Sequence, residues 1–463
     1  MADLLTKDDA RALVRDTCSY AGQDECVVTV ATSRTHNTRF ADNRVTTNGS
    51  VEAVVVTVSV SKGSRTGSVV LTDPAPAALR RAVGDAAAIA DLATPNPEFV
   101  AAPPPQVYPE VDAWDANTAS SGAEPLVEAV ARALEAARAR SVVGSGLALA
   151  AATVRAFGTT RGDFGYDRRT RAEFTMTART ADGTGSGWGT GAGHRWSALD
   201  ARDIASRATA KASRSAGARP LGPGTHTVIL EPAAVAEFLP MLGGAFDARA
   251  VAEGRSRYAR PDGSAPIGQR IADARVTLKS DPFDPRLPGM PWIGALPVAV
   301  PSSGSAFFNF GAPDVRSVFF PTRATTWIDR GLLANLAYDP YWAMTSRVPP
   351  TPGVGTSLVL EGEDRSIDDL VSTTERGLLV TRFFYVRMVN PRSREVTGLT
   401  RDGVFLIENG KVLHAVNNLR WNESPADALQ RVDGLTRAEA HDNVVVPAIR
   451  VRDFTFTSVS DAV

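Results

Sequence analysis

The side chains able to do acid–base, nucleophilic or metal chemistry are few and scattered. Five histidines, His36, His194, His226, His414 and His441, are spread over 463 residues. No two stand three or four positions apart, so no pair can present both imidazoles on one helical face. The stretch Thr225–Tyr258 is the one around which the chain is organised. In it a strand, Val228–Leu230, runs into Glu231-Pro232, where proline suits a first helical position because its missing N–H needs no partner there. Val235, Phe238, Leu239 and Leu242 then recur at helical spacing. This helix carries one carboxylate, Glu237, and no imidazole, and one carboxylate alone does not hold zinc. Pro240 is expected to remove a backbone hydrogen bond and bend it. His226, just before the strand, is the histidine nearest in sequence and reads as a strand-end side chain. A site assembled from distant loops would draw on His194 and His226.

Other candidates are weaker. Glu253-Gly254-Arg255-Ser256-Arg257 has Gly-x-Ser but lacks the second glycine of a nucleophile elbow. Glu237, Glu253 and Ser256 are the groups an altered active site would use. The run Gly183 to Gly191, GTGSGWGTG, matches neither a dinucleotide fingerprint nor a P-loop. Close backbone approach accounts for its glycines. Cys18 and Cys26 read as a reduced structural pair.

The elements that must position these groups follow from pattern. Composition is that of a globular protein, 43% hydrophobic and 22% charged, with a net charge of −1. That charge gives no general electrostatic footprint for nucleic acid, and no apolar run is long enough for a membrane-spanning helix. The acids in MADLLTKDDARALVRD replace the bases of a signal peptide, so a cytoplasmic protein is expected. Thr6 caps a first helix whose buried stripe is Ala10, Leu13, Val14 and Thr17. Strands are expected over Cys26–Thr32, Val51–Ser61 and Gly67–Thr72, with a turn at Asp42-Asn43 whose side chains bond their own backbone. Helices follow from Asp73-Pro74 to about Asp91 and over Glu124–Arg140. Strands Thr153–Phe157 and Arg171–Thr180 come next, then a helix capped by Ser197 and ending near Ser215. Ala216 to Gly224, AGARPLGPG, reads as a linker. Beyond it lie a strand over Ile271–Leu278, a strong strand over Leu378–Val389, and a hairpin turning at Asn409-Gly410. Phe283–Phe320 is rich in Pro, Gly, Ser and Phe, either strands packing phenylalanine inward or a surface loop that docks a partner. The expected class is α+β in two domains, 1–218 mixed and 219–463 mainly β around one central helix.

Several segments resemble the TldD/PmbA (TldE) metallopeptidase family along the whole chain. Arg39-Phe40-Ala41-Asp42-Asn43 to Asn48 is similar to that family's RFANNxxxQN-type segment. Glu253-Gly254-Arg255-Ser256, Asp281-Pro282, Trp327 to Leu336, Thr397 to Val412, Leu419 to Pro425 and Val446 to Phe454 also resemble family segments, in order. In the family's active subunit the organising helix bears HExxxH. Its two imidazoles reach one zinc ion, and its glutamate takes a proton from metal-bound water. A late cysteine completes that site. Here the helix has no histidine, and no cysteine follows Cys26. The chain therefore resembles the metal-free, TldE/PmbA-like branch. The resemblance implies a non-catalytic subunit of intracellular peptide proteolysis, with no metal or catalytic residue of its own. Its partner would be a TldD-like subunit carrying zinc, and its ligand an extended peptide bound as an added strand. It could self-associate when alone. Arg39, Asn43, Asn409 and Asn422 mark the family, with turns and strand edges as their expected roles. The alternatives are a peptidase with an altered site and a peptide-binding regulatory protein without a peptidase partner. A neighbouring TldD-like gene would favour the subunit.

Overall fold

The computed structural model describes residues 4–294 and 318–460. Helix α1 (Lys7–Ser19) starts at Thr6, whose hydroxyl accepts from the Asp9 N–H at 3.2 Å. It buries Ala10, Val14, Thr17 and Cys18. Six antiparallel strands follow, β1 (Glu25–Ala41), β2 (Arg44–Lys62), β3 (Arg65–Leu71), β4 (Val142–Thr159), β5 (Phe164–Thr180) and β6 (Ser186–Gly193), in the order β3-β2-β1-β4-β5-β6. The strands are longer than expected because pairing carries the ladder through polar residues that a hydrophobic pattern leaves out.

Asp42 and Asn43 turn the β1–β2 hairpin at φ 52° and 57°, the left-handed pair a tight hairpin needs. Asn43 does not bond its own backbone as expected. Its amide donates to the Val142 carbonyl at 2.8 Å, and its oxygen accepts from the Gly144 N–H at 2.7 Å. It thereby pins the hairpin tip to β4.

One face of this sheet is covered by helices. α1 and α2 (Pro76–Leu92) cover one end. The other end lies under α4 (Glu124–Ala139) and α5 (Ala201–Ser215), which follow the short α3 (Ala116–Ser120). The cap of α5 is Asp200, which accepts from the Asp203 N–H at 3.0 Å, rather than Ser197. Ser197 instead lies in a single 3-10 turn, Trp196–Ala198, so the chain re-enters helix three residues later than the sequence pattern suggests.

The glycine run explains itself here. On β6, a side chain at Gly187 would collide with the Ala208 carbonyl of α5 and one at Gly189 with the Ile204 carbonyl, and just before the strand one at Gly185 with the Ala212 carbonyl. Alternate glycines let the helix backbone lie directly on the strand. Gly187→Val is expected to destabilise the protein by about 1–3 kcal/mol or more, measured by urea denaturation. Gly193→Ala, where the space is open, is the control.

After α5 the chain enters β7 (Gly224–Leu230). A second sheet assembles β7 with β14 (Arg376–Asn390), β15 (Glu395–Glu408), β16 (Lys411–Val416), β17 (Leu419–Glu423), β18 (Val432–Leu435) and β21 (Ile449–Val459). Its order is β14-β7-β21-β17-β15, and β15 also pairs β14, so five strands close into a ring. Asn409 and Gly410, at φ 49° and 73°, form the expected turn between β15 and β16.

A third sheet has the order β12-β11-β8-β13-β20-β19, from β8 (Leu278–Ser280), β11 (Thr325–Asp329), β12 (Leu332–Leu333), β13 (Leu358–Leu360), β19 (Glu439–His441) and β20 (Val444–Val446). The strand expected over 271–278 is reduced to β8. The Asp273 carboxylate accepts from the Arg275 N–H at 3.0 Å and its carbonyl from Val276 at 3.0 Å, which closes a turn. A two-strand ladder joins β9 (Trp292–Ile293) to β10 (Phe320–Pro321). Of the Phe-rich stretch, 295–317 lie outside the described residues. At its flanks Phe319 is buried, stacking on Phe157 at 3.8 Å, while Phe283 is exposed.

Candidate functional site

The organising element is α6 (Pro232–Phe238), which packs on β14. Its α-helical hydrogen bonding ends at Phe238, two residues before Pro240. Residues Leu239–Phe246 continue as 3-10 helix, and α7 (Ala248–Ala252) follows. The expected bend is thus a change of helix type. Proline cannot donate, and its ring crowds the carbonyl one turn back. Arg394 secures this turn, its Nε donating to the Met241 carbonyl at 2.8 Å.

Two faces of this segment have different characters. Phe238 points into the ring of strands, with centroids 5.4 Å from Trp421, 5.9 Å from Phe383 and 6.1 Å from Phe454. Glu237 points the other way, to the seam where the helix-free face of the first sheet meets the barrel. Burial raises its carboxyl above the usual range, with Asp442 adding and Arg382 opposing.

The seam is a layer of charge. From α5, Lys211 pairs with Glu231, the residue that opens α6. From β14, Arg382 lies 4.5 Å above the Trp188 ring of β6 and 3.4 Å from Asp402 of β15. Asp402 is fully buried and accepts from Ser186 of β6. From β5, Arg171 reaches Glu173 at 3.0 Å and Asp442 at 3.2 Å. Burial raises the carboxyls of Glu173 and Glu439 as well.

His441 sits inside this layer, its ring edge-on to Trp188 at 5.5 Å and its Nε2 without a hydrogen-bond partner. Burial, then the positive charges of Arg207, Arg382 and Lys211, push its imidazole down to about 3. The sign of the consequence follows. Between pH 6.5 and 3 the unfolded chain binds a proton at His441 that the folded chain refuses, so this residue's contribution falls as pH falls. The slope reaches at most about 1.4 kcal/mol per pH unit. The raised carboxylates act in the opposite sense, since the folded protein takes up their protons first. They cancel when two proteins are compared that differ only at position 441. His441→Gln is therefore expected to lose stability more slowly than the parent between pH 6.5 and 5, read from urea midpoints at each pH. Parallel curves would mean that His441 is not held neutral.

The other sequence candidates do not gather. His194 lies near Asp112, Asp115 and Arg195, while His226 lies 6.0 Å from the Phe456 ring and senses Arg376. His36 is half-buried on β1 and His414 half-buried on β16. Ser256 is buried and donates to the Ala245 carbonyl while accepting from the Tyr258 N–H, which is a loop-closing role. Glu253 is exposed and pairs with Arg249 and Arg255. Cys18 and Cys26 are buried thiols beneath α1. Arg39 is exposed on β1, and Asn422 lies on β17 with its amide oxygen buried. Among the described residues no three His, Cys, Asp or Glu side chains come together as a metal-binding group. The donor set around α6 does not fit zinc, because Glu237 senses Arg382, and His441, the histidine of this seam, is surrounded by cations.

Sequence reasoning missed the seam. The available signal was Arg382, a cation interrupting the apolar run of β14, and Asp402, a carboxylate just before the apolar run Val404–Ile407 of β15. Two adjoining surface grooves of about 650 and 420 Å³ lie elsewhere, where Pro125, Trp196 and Ser197 meet.

Comparisons with known proteins fit this architecture. Three family models match in order: PmbA/TldA metallopeptidase domain 1 over residues 26–90, the central domain over 119–216, and the C-terminal domain over 223–295 and 318–458. No curated protein matches the sequence significantly. Among solved structures, the fold is similar to TldE from Thermococcus kodakarensis, with TM-score 0.80 and 20% identity over 96% of this chain and 99% of that one. It is also similar to a protein from Bacteroides thetaiotaomicron described as a candidate modulator of DNA gyrase, with TM-score 0.80 and 18% identity over 98% and 100%. A Thermotoga maritima protein described in the same way has TM-score 0.76 and 16% identity over 97% and 99%. Among the described residues, no helix is long and apolar enough to cross a membrane.

Proposed function

Because this chain belongs to the PmbA/TldA metallopeptidase family, we propose that it serves as the metal-free, TldE-like subunit of a two-component peptidase. The observation that carries this reading is the organising helix. From Pro232 to Phe246 it contains no histidine, and the turn after Phe238 offers Leu239, Pro240, Met241 and Leu242. A zinc peptidase needs imidazoles there and a glutamate free to take a proton from bound water. Glu237 senses Arg382 and Asp442, and among the described residues it belongs to no group of three His, Cys, Asp or Glu side chains that could hold a metal.

In this reading a TldD-like partner carries the zinc, and this chain shapes the peptide-holding wall. An extended peptide would be held mainly through its backbone, which favours unfolded peptides over folded proteins. In this reading the chain divides into two units at about residue 218, in the Gly- and Pro-rich connection before β7. The compartment is the cytoplasm, and the chain could pair with itself when the partner is absent.

Elemental analysis tests the reading directly. The purified chain is expected to hold far less than one zinc per molecule after equilibration with zinc and desalting, while a TldD-type partner treated alike holds one. Stoichiometric zinc on this chain would mean that histidines distant in sequence converge on a metal, and the subunit reading would fail.

A further inference from the structure

The first sheet has a second group of polar atoms without partners, away from α6. Arg155 Nε, Thr29 Oγ1 and Trp292 Nε1 are all buried and make no hydrogen bond. They are neighbours. Thr29 stands opposite Phe157 in the β1–β4 register, and Ala31 stands opposite Arg155. Arg155 and Phe157 are two apart on β4 and so share a face. The Trp292 ring packs edge-on against Phe157, with centroids 5.2 Å apart.

Arg155 is the unusual member. Its Nη1 donates to the Met290 sulfur at 3.2 Å, and a thioether is a weak acceptor. The carboxylate opposite it in the β4–β5 register, Asp167, is occupied by Arg169 at 2.7 Å. Arg169 also donates to the Gly289 carbonyl at 2.8 Å. Two guanidiniums thus share one carboxylate, and among the described residues Arg155 forms no ion pair. Burial, then Arg169, push its guanidinium down to about 10. Arg155 is partly buried and Asp167 attracts it from the next strand, but that carboxylate is already paired with Arg169, so the two guanidiniums leave one positive charge in excess. The unpaired groups are a guanidinium N–H, an indole N–H and a hydroxyl, all able to donate. What they lack is an acceptor, and what the two arginines lack is a second negative charge beside Asp167. Water supplies the first but not the second.

We propose that Arg155, with Thr29 and Trp292, forms a partly buried carboxylate-binding site on the barrel-facing side of the first sheet. A guanidinium takes a carboxylate through two parallel N–H donors, which Arg155 has available. The carboxylate comes either from a small free acid or from the C-terminus of a peptide. The site does not depend on how the chain is paired or on whether it holds zinc, so it stands or falls separately from the subunit reading.

Titration calorimetry on the full chain tests it, with three probes: acetate, an unstructured tripeptide with a free C-terminus, and the same tripeptide as its C-terminal amide. The expected result is saturable binding of the acid tripeptide and at least tenfold weaker binding of the amide. Acetate binding as well would assign the site to small acids in general, and acetate failing would assign it to peptide C-termini. Arg155→Met is expected to weaken carboxylate binding at least tenfold while the protein melts no lower than the parent, because an uncompensated charge has been removed. Should that variant not fold, Arg155→Lys and Thr29→Val are expected to weaken binding severalfold each. Failure of the parent to bind either carboxylate, equal binding of acid and amide, or variants that bind like the parent would overturn the proposal.

Discussion

Incubated alone with an unstructured peptide, the chain is expected to leave it intact, and to support cleavage only when a TldD-type zinc subunit is added. The expected contrast is large. An assembled enzyme site accelerates its reaction by about 10⁶-fold or more, whereas a chain without a metal-activated water should remain near background. The physical ground is the donor set. Zinc hydrolysis needs three protein ligands and an open position, and the helix that would supply two of them carries Glu237 alone. That carboxylate is held at a seam with Arg382 and His441, not beside a pair of imidazoles. The decisive control is a partner stripped of zinc. The mixture should then lose all cleavage, and added zinc should restore it. Chelator-sensitive cleavage by this chain alone would remove the basis for calling it non-catalytic.

The second large effect is expected at Phe238. Its ring is 1% exposed and contacts Phe383, Trp421 and Phe454 inside the closed ring of strands. It joins α6 to the barrel, so the cavity left by Phe238→Ala opens in the core that helix and strands share. The expected cost is about 3–5 kcal/mol, measured from urea midpoints. Phe238→Leu, which refills most of the volume, should cost less than about 1.5 kcal/mol. Near-equal losses for the two variants would mean that ring contacts rather than volume carry the stability. A loss below about 1 kcal/mol for alanine would show that α6 is not anchored there.

Much of the frame was legible in the chain itself. A capped apolar stripe identified α1, an Asp-Pro start α2, an amphipathic run α4 and a polar cap α5, and paired turn residues at Asp42-Asn43 and Asn409-Gly410 identified two hairpins. These signals are local: a helix stripe or a left-handed turn is decided within a few residues. The absence of a histidine from the organising helix was equally plain, and the family followed from segments spread over the chain.

The tertiary structure decided what lies far apart in sequence. Ring closure of the second sheet depends on β15 pairing both β14 and β17, and no local pattern encodes that choice. The strand expected over 271–278 gives way to a turn because the Asp273 side chain and carbonyl accept from the Arg275 and Val276 N–H groups, an alternative to a ladder. His441 looked like any loop histidine until Trp188, Arg382, Arg207 and Lys211 from three other elements closed around it. The same holds for Arg155: a strand arginine in the sequence, it becomes a partly buried cation short of a carboxylate only when Asp167 on the next strand is taken by Arg169. Burial and counter-charge are properties of the packed molecule, because desolvation depends on which surfaces meet rather than on which residues adjoin.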